Sequence, residues 1–119
     1  MIKKKKLKVI KNPKGKIIKF VNHKEFPLKK FGEIYFSEVK PNKFKGWKFH
    51  NSRNQYLTVV TGSVEFCFKK KINSKIKKIL INSKKNLYSI LIPKKVFYSF
   101  KCISKSKAII INIIDEIVK

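Results

Sequence analysis

Histidine titrates closest to neutral pH of all side chains, and this chain has two, His23 and His50. Carboxylates are scarce: Asp and Glu together number six, and the sole Asp is Asp115. His50 stands in a dense stretch, Lys45-Gly46-Trp47-Lys48-Phe49-His50-Asn51-Ser52-Arg53-Asn54-Gln55. On a strand, Lys48 and His50 project to the same side, and Trp47 and Phe49 to the other. An imidazole with an ordinary pKa of about 6.5 is a natural general base near neutral pH. A lysine beside it offers a cation for a developing negative charge, or a second base if burial lowers its pKa. The rest of the usual catalytic inventory is missing. No Gly-rich phosphate loop, no HExxH and no plausible Ser/His/Asp set occurs, which removes P-loop and hydrolase chemistry. His23 reads as an exposed loop residue. Cys67 and Cys102 show no CxxC and no zinc-ligand spacing, and read as two buried, reduced thiols.

The elements that must position these groups are strands. Runs rich in Ile, Val, Phe and Tyr recur between Lys/Asn/Pro/Gly breaks, with hardly any helical periodicity. The pattern predicts strands over Leu7–Ile10, Lys16–Val21, Glu33–Val39, Gly46–His50 and Tyr56–Thr61. Further strands are predicted over Ser63–Lys70, Lys75–Ile81, Tyr88–Ile92, Phe97–Ile103 and Ala108–Ile114. Asn12-Pro13-Lys14-Gly15 suits a tight turn, and Thr61-Gly62-Ser63 reads as a hairpin-type break. Val64, Phe66 and Phe68 share one face, as do Tyr98, Phe100 and Cys102. Many short strands at short spacing imply an all-β sandwich or barrel.

Set on these strands, two motifs resemble those of the cupins. The first cupin motif places a Gly ahead of an HxH pair, then an acidic residue, then six residues and a Gly. Here Gly46 leads, Lys48 takes the first His position, His50 the second and Gln55 the acidic one; Tyr56 to Thr61 precede Gly62. The second motif, Pro with a His five places on, resembles Pro93 to Tyr98, with Tyr98 at the His position. The frame thus stands with its metal ligands replaced. A lysine cation has no lone pair to donate, and one His alone does not hold a catalytic metal, so no metal and no cofactor is expected.

A wider resemblance runs through Asn12–Gly15, Phe31–Val39, Gly46–His50 and Ile92–Phe100. It is to the cupins related to dTDP-4-dehydrorhamnose 3,5-epimerase, which are similar in frame to the dTDP-sugar 3,4-ketoisomerases. The resemblance implies a cupin-type double-stranded β-helix (jelly roll), a homodimer, and a nucleotide-activated sugar as ligand. It implies metal-independent isomerisation or epimerisation of a 4-keto-6-deoxy sugar nucleotide in surface-polysaccharide (lipopolysaccharide) assembly. In that setting His50, Lys48 and Tyr98 are the candidate catalytic residues. Lys45, Arg53, Gln55 and Tyr35 are the candidate substrate-binding residues, with Lys45 and Arg53 meeting the diphosphate. Two alternatives stand beside it. One is a non-catalytic cupin that binds a sugar nucleotide, since the first His is replaced. The other is a small basic nucleic-acid-binding β-barrel, on charge and aromatics alone.

Composition bounds these readings. At 119 residues, 43% hydrophobic and 13% aromatic, the chain is expected to form one domain over 1–119 with a single core. The net charge of +25 suggests a polyanion partner, yet 30 of the 31 basic residues are lysine and only Arg53 is arginine. Base-reading surfaces draw on arginine's bidentate fork, so the charge reads as compositional drift, and no specific nucleic-acid partner is expected. The charge should still draw small anions toward a cavity. The basic start lacks an apolar stretch after it, so no secretory signal is read. The longest apolar run, Ala108–Ile114, is interrupted by Asn112 and falls far short of the about 20 residues a membrane span needs. No membrane association and a cytoplasmic location are the expectations. Leu7–Ile10 is a candidate for exchange onto a partner's sheet.

Overall fold

A computed structural model describes residues 2–117. Its strands are β1 (Lys3–Lys6), β2 (Lys8–Asn12), β3 (Gly15–Lys19), β4 (Glu33–Val39), β5 (Phe44–Phe49) and β6 (Gln55–Thr61). They continue with β7 (Ser63–Lys69), β8 (Lys77–Asn82), β9 (Tyr88–Ile92), β10 (Phe97–Cys102) and β11 (Ala108–Ile114). No helix occurs among the described residues, so none is long and apolar enough to cross a membrane. A five-stranded sheet, β1-β9-β6-β11-β4, faces a four-stranded sheet, β5-β10-β7-β8, and β2-β3 form a separate hairpin.

The period-2 alternation builds the core between the two sheets. Val64, Phe66 and Phe68 meet Tyr98, Phe100 and Cys102 of the neighbouring strand, and face Leu57, Val59, Ile90, Ile92 and Ile110 across the sandwich. A second, smaller cluster lies on the outer face of the larger sheet. There Leu28, Tyr56 and Ile113 are covered by Phe20, Val21 and Phe26, and Phe20 stacks on Tyr56 at 5.0 Å. This covering role is why the predicted strand over 16–21 stops at Lys19: Phe20 and Val21 leave the β2-β3 ladder to pack on the sheet.

Three features depart from the expectations. First, four consecutive lysines, Lys3 to Lys6, form strand β1 on the edge of the larger sheet. Their side chains are exposed, and the strand is pinned by the apolar residues at its ends: Ile2 packs on the core and Leu7 is buried. Backbone pairing with β9 and two apolar anchors override lysine's weak strand preference, and exposed lysines are common on edge strands. Leu7 is thus the buried break between β1 and β2 rather than the start of a strand. Second, Thr61-Gly62-Ser63 is not a hairpin. It carries the chain from the five-stranded sheet into the four-stranded one. Gly62 turns this corner at φ +88°, where a Cβ would come within 2.9 Å of Ala108 Cα and Ser104 Oγ. Third, Cys102 is buried as expected but Cys67 is half-exposed, since Phe66 and Phe68 take the inward positions beside it.

Candidate functional site

The site is built around β10, whose inward Tyr98 pairs in register with Lys48 of β5. Farther along the same pair, Phe100 lies opposite Lys45, so three residue steps in β5 match two in β10. This is a β-bulge. Tyr98 and Phe100 share the inner face, and the extra residue brings Lys45 and Lys48 to that face together, where a regular strand would have sent them to opposite sides. Gly46 makes the bulge possible. Its φ is +135°, and a Cβ there would lie 2.6 Å from Ser99 Cβ, inside any allowed contact. Lys48 Nζ lies 5.6 Å from the centre of the Phe100 ring, and Lys45 Nζ donates to the Glu38 carbonyl of β4 at 3.1 Å. Trp47 and Phe49 lie on the outer side, next to Lys69 and Phe97 respectively.

His50 follows β5 directly. Its carbonyl accepts from Lys95 N at 2.7 Å, which ties it to the β9-β10 turn. The half-buried ring sits between two partners: Nε2 is 3.1 Å from Tyr98 Oη, and Nδ1 is 3.1 Å from an Arg53 guanidinium nitrogen. A guanidinium only donates, so Nδ1 is the acceptor and the neutral ring carries its proton on Nε2, which donates to Tyr98. Tyr98 Oη donates onward to Gln55 Oε1 at 3.3 Å. Asn112 Nδ2 donates to the same Gln55 oxygen at 2.9 Å and to Tyr35 Oη at 3.1 Å. Arg53, His50, Tyr98, Gln55, Asn112 and Tyr35 thus form one connected polar chain, drawn from β4, β6, β10, β11 and the loop after β5. Gln55 and Asn112 are buried, and Arg53 Nε and Asn112 Oδ1 in the chain are buried without a hydrogen-bond partner among the described residues.

The electrostatics separate the roles. Burial, then the charges of Arg53 and Lys48, push the His50 pKa below its ordinary value, which favours the neutral, basic ring. Burial pushes the Tyr98 phenol up to about 12, against the opposing pull of its Gln55 hydrogen bond. Tyr98 therefore keeps its proton near neutrality. Burial likewise raises Tyr35. Lys48 stays accessible as a residue, yet partial burial of its ammonium and then repulsion from Lys45 lower its pKa. Among the described residues no group of three or more His, Cys, Asp or Glu gathers as a metal site. The polar chain runs from the half-buried His50 to the buried Tyr98, Gln55 and Asn112, whereas clefts of about 460, 470 and 550 Å³ lie elsewhere, beside the β2-β3 hairpin and around Leu28 and Asp115. Convergent hydrogen bonding and shifted proton affinities mark the chemistry here more specifically than concavity does.

The structure thus brings His50, Tyr98, Gln55, Arg53 and Tyr35 into one network, with Lys48 and Lys45 at its edge. His23 is exposed, as expected. Asn112 is the member that sequence reasoning missed. Its signal was present: it is the one polar residue in the apolar run Ala108–Ile114 and shares the inward phase with Ile110 and Ile114.

A protein family described as WxcM-like, C-terminal (FdtA) matches residues 1–116. The chain belongs to this family. The WxcM-like chain also superposes on solved structures. A dTDP sugar isomerase from Desulfovibrio desulfuricans G20 matches with a TM-score of 0.90 and 24% identity, over 99% of this chain and 78% of that one. QdtA, a sugar 3,4-ketoisomerase from Thermoanaerobacterium thermosaccharolyticum solved with TDP, matches at 0.81 and 18%, over 99% and 82%. RmlC, a dTDP-6-deoxy-D-glucose-3,5-epimerase from Legionella pneumophila solved with dTDP-4-keto-L-rhamnose, matches at 0.85 and 15%, over 99% and 68%. Comparison with curated proteins gives no match. At these identities the superpositions speak for the fold: this WxcM-like sandwich is the all-β, cupin-type jelly roll that the motif frame implied.

Proposed function

We propose that the protein is a metal-independent isomerase or epimerase of a nucleotide-activated 4-keto-6-deoxy sugar, serving surface-polysaccharide assembly. The observation that carries this is the hydrogen-bonded pair of a half-buried His50 and a buried Tyr98 at 3.1 Å, a neutral base beside a neutral phenol. Deprotonation next to a carbonyl needs such an acid and base whose environments push their proton affinities apart. His50 takes the proton from the carbon next to the carbonyl, and the electron pair of that bond becomes the enolate. Lys48 meets the developing oxygen charge as a cation. Tyr98 returns a proton to carbon, on the other face or at the neighbouring position, and recovers one from protonated His50 across their hydrogen bond, which resets both groups. Lys45 and Arg53 meet the diphosphate, while Gln55 and Tyr35 line the sugar side. The family and its structural relatives support the substrate class.

Proton NMR of dTDP-4-keto-6-deoxyglucose with the protein in D2O tests this. Loss of the C3 or C5 proton signal, or appearance of a 3-keto product, is the expected result, and His50→Asn should abolish it with the fold intact. Full activity of that variant removes His50 from the mechanism. A second reading, a sugar-nucleotide-binding cupin without turnover, draws on Lys48 at the first His position of the motif. Line broadening of the nucleotide signals without proton exchange would decide for it.

A further inference from the structure

Arg53 is the sole arginine of the chain, and it makes an unusual contact. Its guanidinium donates to a neutral imidazole nitrogen, His50 Nδ1, at 3.1 Å, while its own Nε is buried with no partner. Among the described residues no carboxylate lies within ion-pair distance of it; the ion pairs there are Lys5–Glu25, Lys30–Glu116 and Lys107–Glu38. The contact also has a cost for catalysis. A neutral imidazole has one lone pair, and with Nε2 carrying the proton toward Tyr98 that lone pair is on Nδ1, under the guanidinium. In this arrangement His50 is the right residue with its basic atom covered.

We propose that Arg53 is a positioning residue that couples anion binding to the base: it holds His50 in the Nε2–H tautomer, and a diphosphate that draws the guanidinium away uncovers Nδ1 to accept a proton. The inference deepens the sugar-nucleotide reading and rests on it. Phosphate oxygens offer a guanidinium charge-assisted, bidentate hydrogen bonds, which a neutral ring nitrogen does not, so the diphosphate outcompetes the imidazole for the same group. Two effects then act on His50 in the same direction. Its Nδ1 loses a donor, and the nearby positive charge is neutralised. The other charged or titratable groups facing the ring are Lys48 on β5 and Tyr98 on β10, and neither changes partner in this step. The coupling makes the base specific for substrates that carry the nucleotide diphosphate. By linkage, the diphosphate also binds more tightly when His50 is protonated.

The experiment is an NMR titration of the two histidines in the intact protein, with exposed His23 as the internal reference. The probes are dTDP and inorganic pyrophosphate. Bound dTDP should raise the His50 titration midpoint by about one pH unit or more and leave His23 in place. In Arg53→Gln, His50 should already titrate higher without dTDP, and dTDP should move it much less than in the parent. Arg53→Lys, which keeps the charge but lacks the fork, should fall between and guards against a folding defect in the first variant. If dTDP binds and His50 does not move, or moves equally in Arg53→Gln, the coupling is overturned while the sugar-nucleotide reading stands. Failure of both probes to bind overturns both. Movement of His50 by pyrophosphate, with no proton exchange in any 4-keto sugar nucleotide, keeps the coupling and sinks the catalytic reading.

Discussion

His50 owes its basicity to being neutral, and its neutrality to burial and to the flanking charges of Arg53 and Lys48. The sign of the pH dependence follows. Its folded-state pKa lies below the ordinary value of about 6.5, so the neutral form that the proposed reaction needs persists as pH falls past that value. The acid limb of kcat/KM, which reports the free protein, should therefore lie below about 6.5. A limb above 6.5 would show that the titrating base is another group. Asn112 is the hub of the buried polar chain, giving one amide nitrogen to Gln55 and to Tyr35. Asn112→Ala takes that donor from Tyr35 Oη and leaves Gln55 Oε1 with Tyr98 alone, and should cost about 1–3 kcal/mol, read as a lower denaturant midpoint with an unchanged slope. A stability equal to the parent would mean that Gln55 and Tyr35 find other partners. His50, Tyr98 and Gln55 were legible in the sequence because a motif spacing marks them. Asn112 was not, because a polar residue in an apolar strand reads equally as an interruption until the residues across the sandwich are known.

At the scale of elements, the bulge in β5 decides which lysines enter the site. Alternation alone puts Lys48 and His50 on one side, as the spacing implied, but gives Lys45 to the other. The bulge brings Lys45 back to the inner face, and it depends on Gly46 at φ +135° against Ser99. Gly46→Ala should cost about 1–3 kcal/mol through overpacking and backbone strain, and should lower affinity for the diphosphate by displacing Lys45. Calorimetric melting and dTDP binding check the two halves; an unshifted melt would mean that β5 accommodates the methyl group by sliding along β10. Strand existence was largely legible, with Glu33–Val39, Tyr88–Ile92 and Ala108–Ile114 falling at the observed bounds. The lysine strand β1 was not, because its stabilising partner, β9, lies more than eighty residues away.

For the whole molecule, the charge of +25 and the exposed apolar surface point in different directions. A large net charge disfavours association between copies, yet the outer face of edge strand β4 leaves Phe36 68% and Ile34 47% exposed, next to Phe31 at 62%. We propose that a second copy of the chain covers this face, the homodimer that the family resemblance implies. Sedimentation velocity should then show a dimer, and Phe36→Glu should shift it to monomer without unfolding. A parent protein that sediments as a monomer at tens of micromolar would remove the proposal.

What the sequence determined by itself was local: alternation, turn chemistry and the spacing of Gly46, His50, Gln55, Gly62, Pro93 and Tyr98. These suffice for an all-β jelly roll and for the residues at the centre of the site. The tertiary structure alone decided which ring nitrogen of His50 holds the proton, which lysines share its face, and that Asn112 joins Gln55 to Tyr35. The physical reason is one of range. Side-chain alternation acts between neighbours in the chain, whereas a tautomer, a bulge and a buried hydrogen bond are set by strands that meet only when the two sheets close on each other.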